Sequence, residues 1–540
     1  MQWTYLLVAL LLQLPFARVL LDWASFGSTS HPRSLSEKKA MAIAFVQEQL
    51  ATHAVPGLGV SIVYQNETIL AQGFGTKEFG NAANVVTENT QFQIGSFTKT
   101  FIALGIAKLV DEGRLSWDDP VQRRLPWFQL VDKYAEQYTT LGDLAAMNSV
   151  FATNEAEVAW TMHVQPDEVG AVKVLRSYVT SRPLRAGYAY ANINYVILGQ
   201  VLAHATNMSW PAYLHKTFFQ PLHMTHTYSS VPDVPQNGSD LSFGHVICNG
   251  EVAGPYDLRT SIETFSSYQN AAFAAGSIVS TPADLAIFSK FLLAKGAGIF
   301  SSPHAVETLI TGHGIQTSVV PGAPGVGYTY HADGGVMAAG YGFDVVGNVM
   351  FGHNYFDKGG DMVAFRTRNG FLPDDALGVV LLSNAKAMGG PVADTYMLDR
   401  MRAYLIGLFL DVPEATLQAN LAAEIAFANA RRPPGACHPH VFGGKPWSAM
   451  TDPLPIATQD ALVGTYVANV SADAYGNVTL SRVQNELVMR YGVYTAPLYA
   501  MRGAPYFFWA FGLSGAPIMI NRLDTSSPTL DLGVPFVKTT

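Results

Sequence analysis

The sequence predicts an α/β fold: a sheet fed by strands from both ends of a segment covering residues 35–430, followed by a small all-β domain over residues 455–540. Three observations carry this expectation. A β-hairpin pattern opens the long segment, helical patterns fill its middle, and a strand pattern returns late. A proline- and glycine-dense stretch then separates it from a run of short strands with turn signals between them.

Composition sets the outer bounds. Of 540 residues, 49% are hydrophobic and only 14% are charged, against about 25% charged in an average soluble protein. Such a chain can bury a large core. It is neither disordered, which requires low hydrophobicity, nor a charge-rich coiled coil. At about 150 residues per domain the length allows two to four domains. The net charge is -8, and the 33 Lys and Arg residues form no long basic run. A groove for nucleic acid, which needs a basic patch against phosphates, is therefore not expected. Arg123–Arg124 and Arg431–Arg432 read as solvated surface.

Taken in order, residues 1–21 read as a secretory signal peptide. Their apolar run, Tyr5 to Leu12, is shorter than the roughly 20 residues a spanning helix needs. A basic first region and a clean cleavage site are absent, so an uncleaved anchor is the alternative. No later run is apolar and long enough to span a bilayer, and the expected location is secreted. Sequons at Asn66, Asn207, Asn237, Asn469 and Asn477 are compatible with glycosylation on that route. Cys248 and Cys437 form no C-x-x-C pair; one disulfide between them and two free thiols both stay open.

Ser36 to Thr52 is expected as a helix, with Met41, Ala44 and Phe45 on one face and Ser36 as its N-cap. A hairpin follows: Gly59 to Tyr64, a turn at Gln65-Asn66-Glu67, then Thr68 to Leu70. Phe97 to Glu112 is helical, with an apolar face from Phe101, Ile102, Leu104, Ile106, Leu109 and Val110. Further helices are expected near Ile193 to Ala205, Pro282 to Leu293 and Val392 to Leu410, and ALGVVLLSN (376–384) reads as a strand. The linker is placed at 431–454, densest in proline and glycine from Arg431 to Pro446. Leu462 to Gly512 then reads as short antiparallel strands of a barrel or sandwich. That domain has few titratable groups and is expected to carry no chemistry.

The chemistry centres on Ser96-Phe97-Thr98-Lys99, within FQIGSFTKTF. S-x-x-K alone is a weak signal, and Ser36 to Lys39 is a second match with Lys39 on a solvated face. Around Ser96 the context differs, because a strand-like FQI runs through a glycine into an apolar helix. Residues three apart on a helix share a face, so Lys99 can reach the Ser96 hydroxyl. A serine is a poor nucleophile until a base takes its proton. A lysine buried in an apolar turn loses solvation of its charged form and becomes such a base. The competing reading is a helix-capping serine followed by an exposed lysine.

The surrounding text resembles the serine β-lactamase and penicillin-binding-protein superfamily, in the branch related to class C β-lactamases and family VIII esterases. FQIGSFTKTF is similar to the nucleophile helix of that group. KLVDEGRLSWDDPVQRRLPWF, AGYAYANINYVILGQVLAHATNMSWPAYLHKTFFQPLHMTHT and AAGSIVSTPADLAIFSKFLL resemble its later blocks, in order, over about residues 37 to 410. The resemblance implies an antiparallel sheet flanked by helices with an all-helical subdomain. No cofactor is expected, and no metal site, since the fourteen histidines show no metal-ligand spacing.

The group's second motif, Y-x-N, is Tyr190-Ala191-Asn192. The resemblance makes Tyr190 a proton shuttle and Asn192 the residue that orients Lys99 and a substrate carbonyl. The third, K-T-G or H-x-G, is best matched by Lys358-Gly359-Gly360, with His353 as a rival. Lys358 would then add positive charge, and the Asp361 amide would complete an oxyanion hole with the Ser96 amide. Two departures stand out. The L-L-x-H-x-S-G block is here Leu144 to Val150, keeping Ser149 but lacking the histidine and glycine. Asn154 to Val174 lacks the group's text at the expected rim of the site.

The expected function is a serine hydrolase cleaving a small-molecule ester or amide through an acyl-enzyme on Ser96. The alternatives are an acyltransferase passing the acyl group to a small-molecule alcohol, and a non-catalytic binding protein on the same fold. Physiological substrate and oligomeric state are not legible.

Overall fold

In a computed structural model, residues 32–539 are described except 156, 249, 262–272, 331–334, 390–395, 432–446, 511–515 and 524–526. The expected leader, Cys437 and most of the linker lie outside the described residues.

The first helix runs Leu35–Thr52 and starts on Ser34, not Ser36. Ser34 Oγ accepts the Glu37 amide while the Glu37 carboxylate accepts the Ser34 amide. This reciprocal cap needs an acidic or amide side chain three residues on. Ser36 has Lys39 in that place, and Lys39 is exposed.

The hairpin strands Gly57–Tyr64 and Glu67–Gly75 open the main sheet. Gly57–Tyr64 then pairs antiparallel with Leu377–Ser383, from the far end of the segment. The sheet continues through Arg366–Leu372, His353–Asp357, Val345–Met350, Ala338–Ala339 and Gly314–Ile315. Leu377–Ser383 is buried throughout because both sheet faces are covered. Alternate strand residues point to opposite faces. Val379 and Leu381 join one core with Phe45, Met401 and Leu405, from the first helix and the helix Met397–Phe409. Val380 and Leu382 join the other with Leu285, Phe288 and Leu292 of the helix Pro282–Leu293. The helical middle adds to this second core, where Thr98–Asp111 packs against Asn192–Thr206.

Eight C-terminal strands, from Gly464–Ala468 to Pro535–Lys538, pair in sequence order, and the last pairs back onto the first. The result is a closed antiparallel barrel, which leaves no sheet edge. Inward positions alternate along the strands, as in Val478 and Leu480 or Leu487, Met489 and Tyr491, and side chains including Trp509 and Phe536 fill the interior. Thr451–Asp452 pairs with the barrel strand Tyr494–Met501, inside the segment expected as linker.

Candidate active site

A short strand, Phe92–Gln93, pairs with Val279–Ser280 and delivers the chain through Gly95 into a tight turn, Gly95–Phe97, ahead of the helix Thr98–Asp111. Phe97 and Phe101 anchor this turn against Phe288 in the core. Ser96 is thereby left partly exposed while Lys99, one turn on, is fully buried.

Lys99 Nζ lies 2.9 Å from Ser96 Oγ, 2.7 Å from Asn192 Oδ1 and 2.7 Å from the Ala275 carbonyl oxygen. An ammonium would donate all three bonds. A neutral amine would donate to the two carbonyl oxygens and accept from the Ser96 hydroxyl. Burial first, and the nearby Lys358 charge second, hold the Lys99 ammonium well below its usual range. Tyr190, at the approach to Asn192–Thr206, donates its phenolic hydrogen to Ser96 Oγ at 2.7 Å. Burial pushes this phenol up, against the opposing pull of Lys358.

Lys358 follows the strand His353–Asp357. Its Nζ lies 3.2 Å from Tyr190 Oη and 2.6 Å from Asp344 Oδ2. Burial works against the Lys358 charge, but the Asp344 carboxylate and then Tyr190 outweigh it and hold the ammonium above its usual range. Asn369 locks the Lys358 backbone from both sides, accepting its amide at 2.9 Å and donating to its carbonyl at 2.6 Å.

Gly359 and Gly360 let this strand close on the nucleophile turn. A Cβ on Gly360 would stand 1.9 Å from the Ile94 carbonyl oxygen and 3.1 Å from the Ser96 nitrogen. Gly95 has φ +54, and a Cβ there would stand 3.1 Å from the Asp361 nitrogen. These contacts bring the Ser96 and Asp361 amides to one place. The Asp361 carboxylate turns instead to Arg366 and Arg368, which outweigh its partial desolvation and hold it ionised well below the usual carboxylate range.

The structure thus joins Ser96, Lys99, Tyr190, Asn192, Lys358, Gly359, Gly360 and Asp361. It does not bring in His353, whose Nδ1 sits 2.8 Å from Asp375 at a partly exposed position. Ser149 donates to Asn194 Oδ1 at 2.8 Å in the core and supports the helix behind the site. All five sequon asparagines are exposed. Cys248 is disulfide-bonded; Cys437 lies outside the described residues.

Four side chains escaped the sequence reading: Asp344, Asn369, Glu157 and Glu168. Glu157 accepts from Asn192 Nδ2 at 2.7 Å, fixing which end of the amide faces Lys99. Burial pushes the Glu157 carboxyl up, against Asn192 and Lys99. Glu168 accepts the Ala274 amide at 2.7 Å and Trp210 Nε1 at 2.9 Å. It thereby sets the backbone beside Ala275, and burial raises its carboxyl to about 7. No local pattern marks any of the four; Glu157 and Glu168 could have been suspected, as acids within the divergent segment Asn154 to Val174.

The profile of the Beta-lactamase family matches residues 42–402, and this chain belongs to that family. Among curated relatives, "Protein flp" of Staphylococcus aureus is 28% identical over 185 residues, 34% of this chain and 36% of its own length. "Unguisins hydrolase ungD'" of Aspergillus campestris is 25% identical over 264 residues, 47% of each. The chain therefore spans between a third and a half of the curated relatives it matches. An octameric penicillin-binding protein homologue from Pyrococcus abyssi shares the fold, with a TM-score of 0.56 and 19% identity over 92% of this chain and 99% of that one.

Proposed function

We propose that this protein is a serine hydrolase that cleaves a small-molecule ester or amide through an acyl-enzyme on Ser96. The observation that carries this reading is the placement of Ser96 Oγ between Lys99 Nζ and the Tyr190 hydroxyl. A degenerate scaffold has no reason to retain a fully buried lysine against a serine hydroxyl.

In this reading neutral Lys99 takes the Ser96 proton as Oγ bonds to the carbonyl carbon. The amides of Ser96 and Asp361 receive the oxyanion. Lys99 passes its proton through Tyr190 to the leaving oxygen or nitrogen as that bond breaks, while Lys358 and its charge keep Tyr190 in line. Water then adds to the acyl-enzyme by the same path, returning the proton to Ser96. The likeness to a relative named as a hydrolase is consistent with this chemistry. The Cys248 disulfide supports an oxidising, secretory setting.

The test is covalent labelling of the purified protein by a fluorophosphonate probe, with hydrolysis of a panel of acyl esters of varied chain length. Ser96→Ala is expected to abolish both. Labelling that persists in Ser96→Ala overturns the assignment. Product analysis with added alcohols separates hydrolysis from acyl transfer.

A further inference from the structure

The divergent segment from Asn154 to Val174, with the residues that follow it to Val179, meets the C-terminal barrel beside the active site. The Val493 amide donates to the Met162 carbonyl at 3.0 Å, Gln165 Nε2 to the Ala474 carbonyl at 2.7 Å, and the Val179 amide to Ser471 Oγ at 2.9 Å. Met162 belongs to the barrel's own core. The barrel is thus built onto the rim of the site.

This seam holds a cleft of about 430 Å³. Val470, Tyr475, Leu532 and Val534 wall it from the barrel, and Tyr178 and Val179 wall it from the helical side. Val179 and Val470, one on each wall, are both exposed, so the cleft presents uncovered apolar surface to whatever enters it. Glu157 lines the same cleft, and one of its oxygens is the acceptor for Asn192 Nδ2. Among the described residues no lysine or arginine forms an ion pair with Glu157. Its cationic neighbour toward the nucleophile is Lys99, whose charged form burial disfavours. Glu155, also on the cleft, accepts the Ala152 amide and adds a second carboxylate.

We propose that this cleft is a substrate subsite and that Glu157 is its specificity-determining residue, pairing with an ammonium group on a substrate that also carries an apolar chain. The proposal rests on the serine-hydrolase reading above. An apolar wall rewards burial of the chain. A half-buried carboxylate without a cation rewards an ammonium with a charge-assisted hydrogen bond. A neutral substrate of the same shape leaves the carboxylate unpaired, and such a site discriminates against the analogue that lacks the polar group. The Glu157–Asn192–Lys99 chain connects occupancy of the cleft to the residue that activates Ser96.

The experiment uses hydrolysis of a neutral 4-nitrophenyl ester by the full chain, inhibited by hexylammonium or by 1-hexanol. Hexylammonium is expected to inhibit about tenfold or more better than 1-hexanol, since one good charge-assisted bond is worth that much. Glu157→Gln is expected to bring the two inhibition constants together. Val470→Trp, acting from the barrel wall, is expected to weaken inhibition by both. Equal inhibition of the wild type by the two compounds overturns the proposal, as does a hexylammonium preference that survives in Glu157→Gln. Fluorophosphonate labelling runs alongside. Labelling without an ammonium preference overturns the subsite alone; no labelling and no ester turnover overturns the hydrolase reading and the subsite with it.

Discussion

Asp344 Oδ2 lies 2.6 Å from Lys358 Nζ, and this ion pair separates the charge states of two buried lysines that share one site. Lys99 meets only neutral acceptors at hydrogen-bond range, so burial favours its neutral amine. Lys358 meets a carboxylate, so it keeps its proton. One lysine is thereby suited to accept the serine proton and the other to stabilise negative charge.

Replacing the carboxylate tests this division. In Asp344→Asn, burial acts on Lys358 with only Tyr190 left to oppose it, so the Lys358 pKa falls. The alkaline limb of the kcat/KM profile is expected to move to lower pH. The maximum is expected to drop about 100-fold, the scale of losing one transition-state charge donor. An alkaline limb left in place counts against the role given to Lys358.

Lys99 governs the opposite limb. Its base form must be present, so activity rises with pH as Lys99 loses its proton. Because burial depresses that pKa, the rise is expected well below the ordinary lysine value of about 10.4. Lys99→Met keeps the chain length and removes the base, and a loss of about 10²–10⁴ in kcat is expected. A Lys99→Met enzyme with near-normal kcat would place the base elsewhere.

The two glycines after Lys358 should differ in cost. A Cβ on Gly360 meets the Ile94 backbone oxygen at 1.9 Å, whereas one on Gly359 meets only the Arg368 guanidinium end at 3.0 Å. Backbone cannot yield as a side-chain tip can. Gly360→Ala must shift the Asp361 amide, and a kcat loss of about 10²–10³ is expected. Gly359→Ala is expected to lose much less. Equal losses in ester hydrolysis would argue against the Asp361 amide as an oxyanion donor.

Glu168 predicts a pH effect on stability. Its carboxyl titrates at about 7 when folded, against 4.5 for the group unperturbed. Between those values the folded protein binds the proton and the unfolded chain does not. Its contribution is therefore full below about pH 4.5 and is lost as pH rises through 7. Thermal midpoints of the wild type are expected to fall more steeply from pH 5 to pH 8 than those of Glu168→Gln. Parallel slopes in the two proteins would remove Glu168 from this role.

What was legible in the sequence follows from local spacing. The hairpin at Gly57–Gly75 reads from alternation and turn chemistry, and the helix after Ser96 reads from its apolar face. Ser96 and Lys99 share a helix face whatever surrounds them. The wrong N-cap at Ser36 has a local cause too, since the cap is decided by which serine has Glu37 three residues on. The barrel strands were legible by their turns, but not the wall they form beside Glu157.

By itself the sequence determined the elements, the family blocks and the nucleophile with its adjacent lysine, because these depend on residues within a few positions of one another. Only the tertiary structure decided which lysine is charged, which end of the Asn192 amide faces Lys99, and where the barrel sits. Those outcomes depend on Asp344, on Glu157 and, for the barrel, on contacts such as Met162 with Val493 and Val179 with Ser471, which come together from distant points in the chain. Burial and charge act through space, and a one-dimensional pattern carries no record of which carboxylate ends up beside which amine.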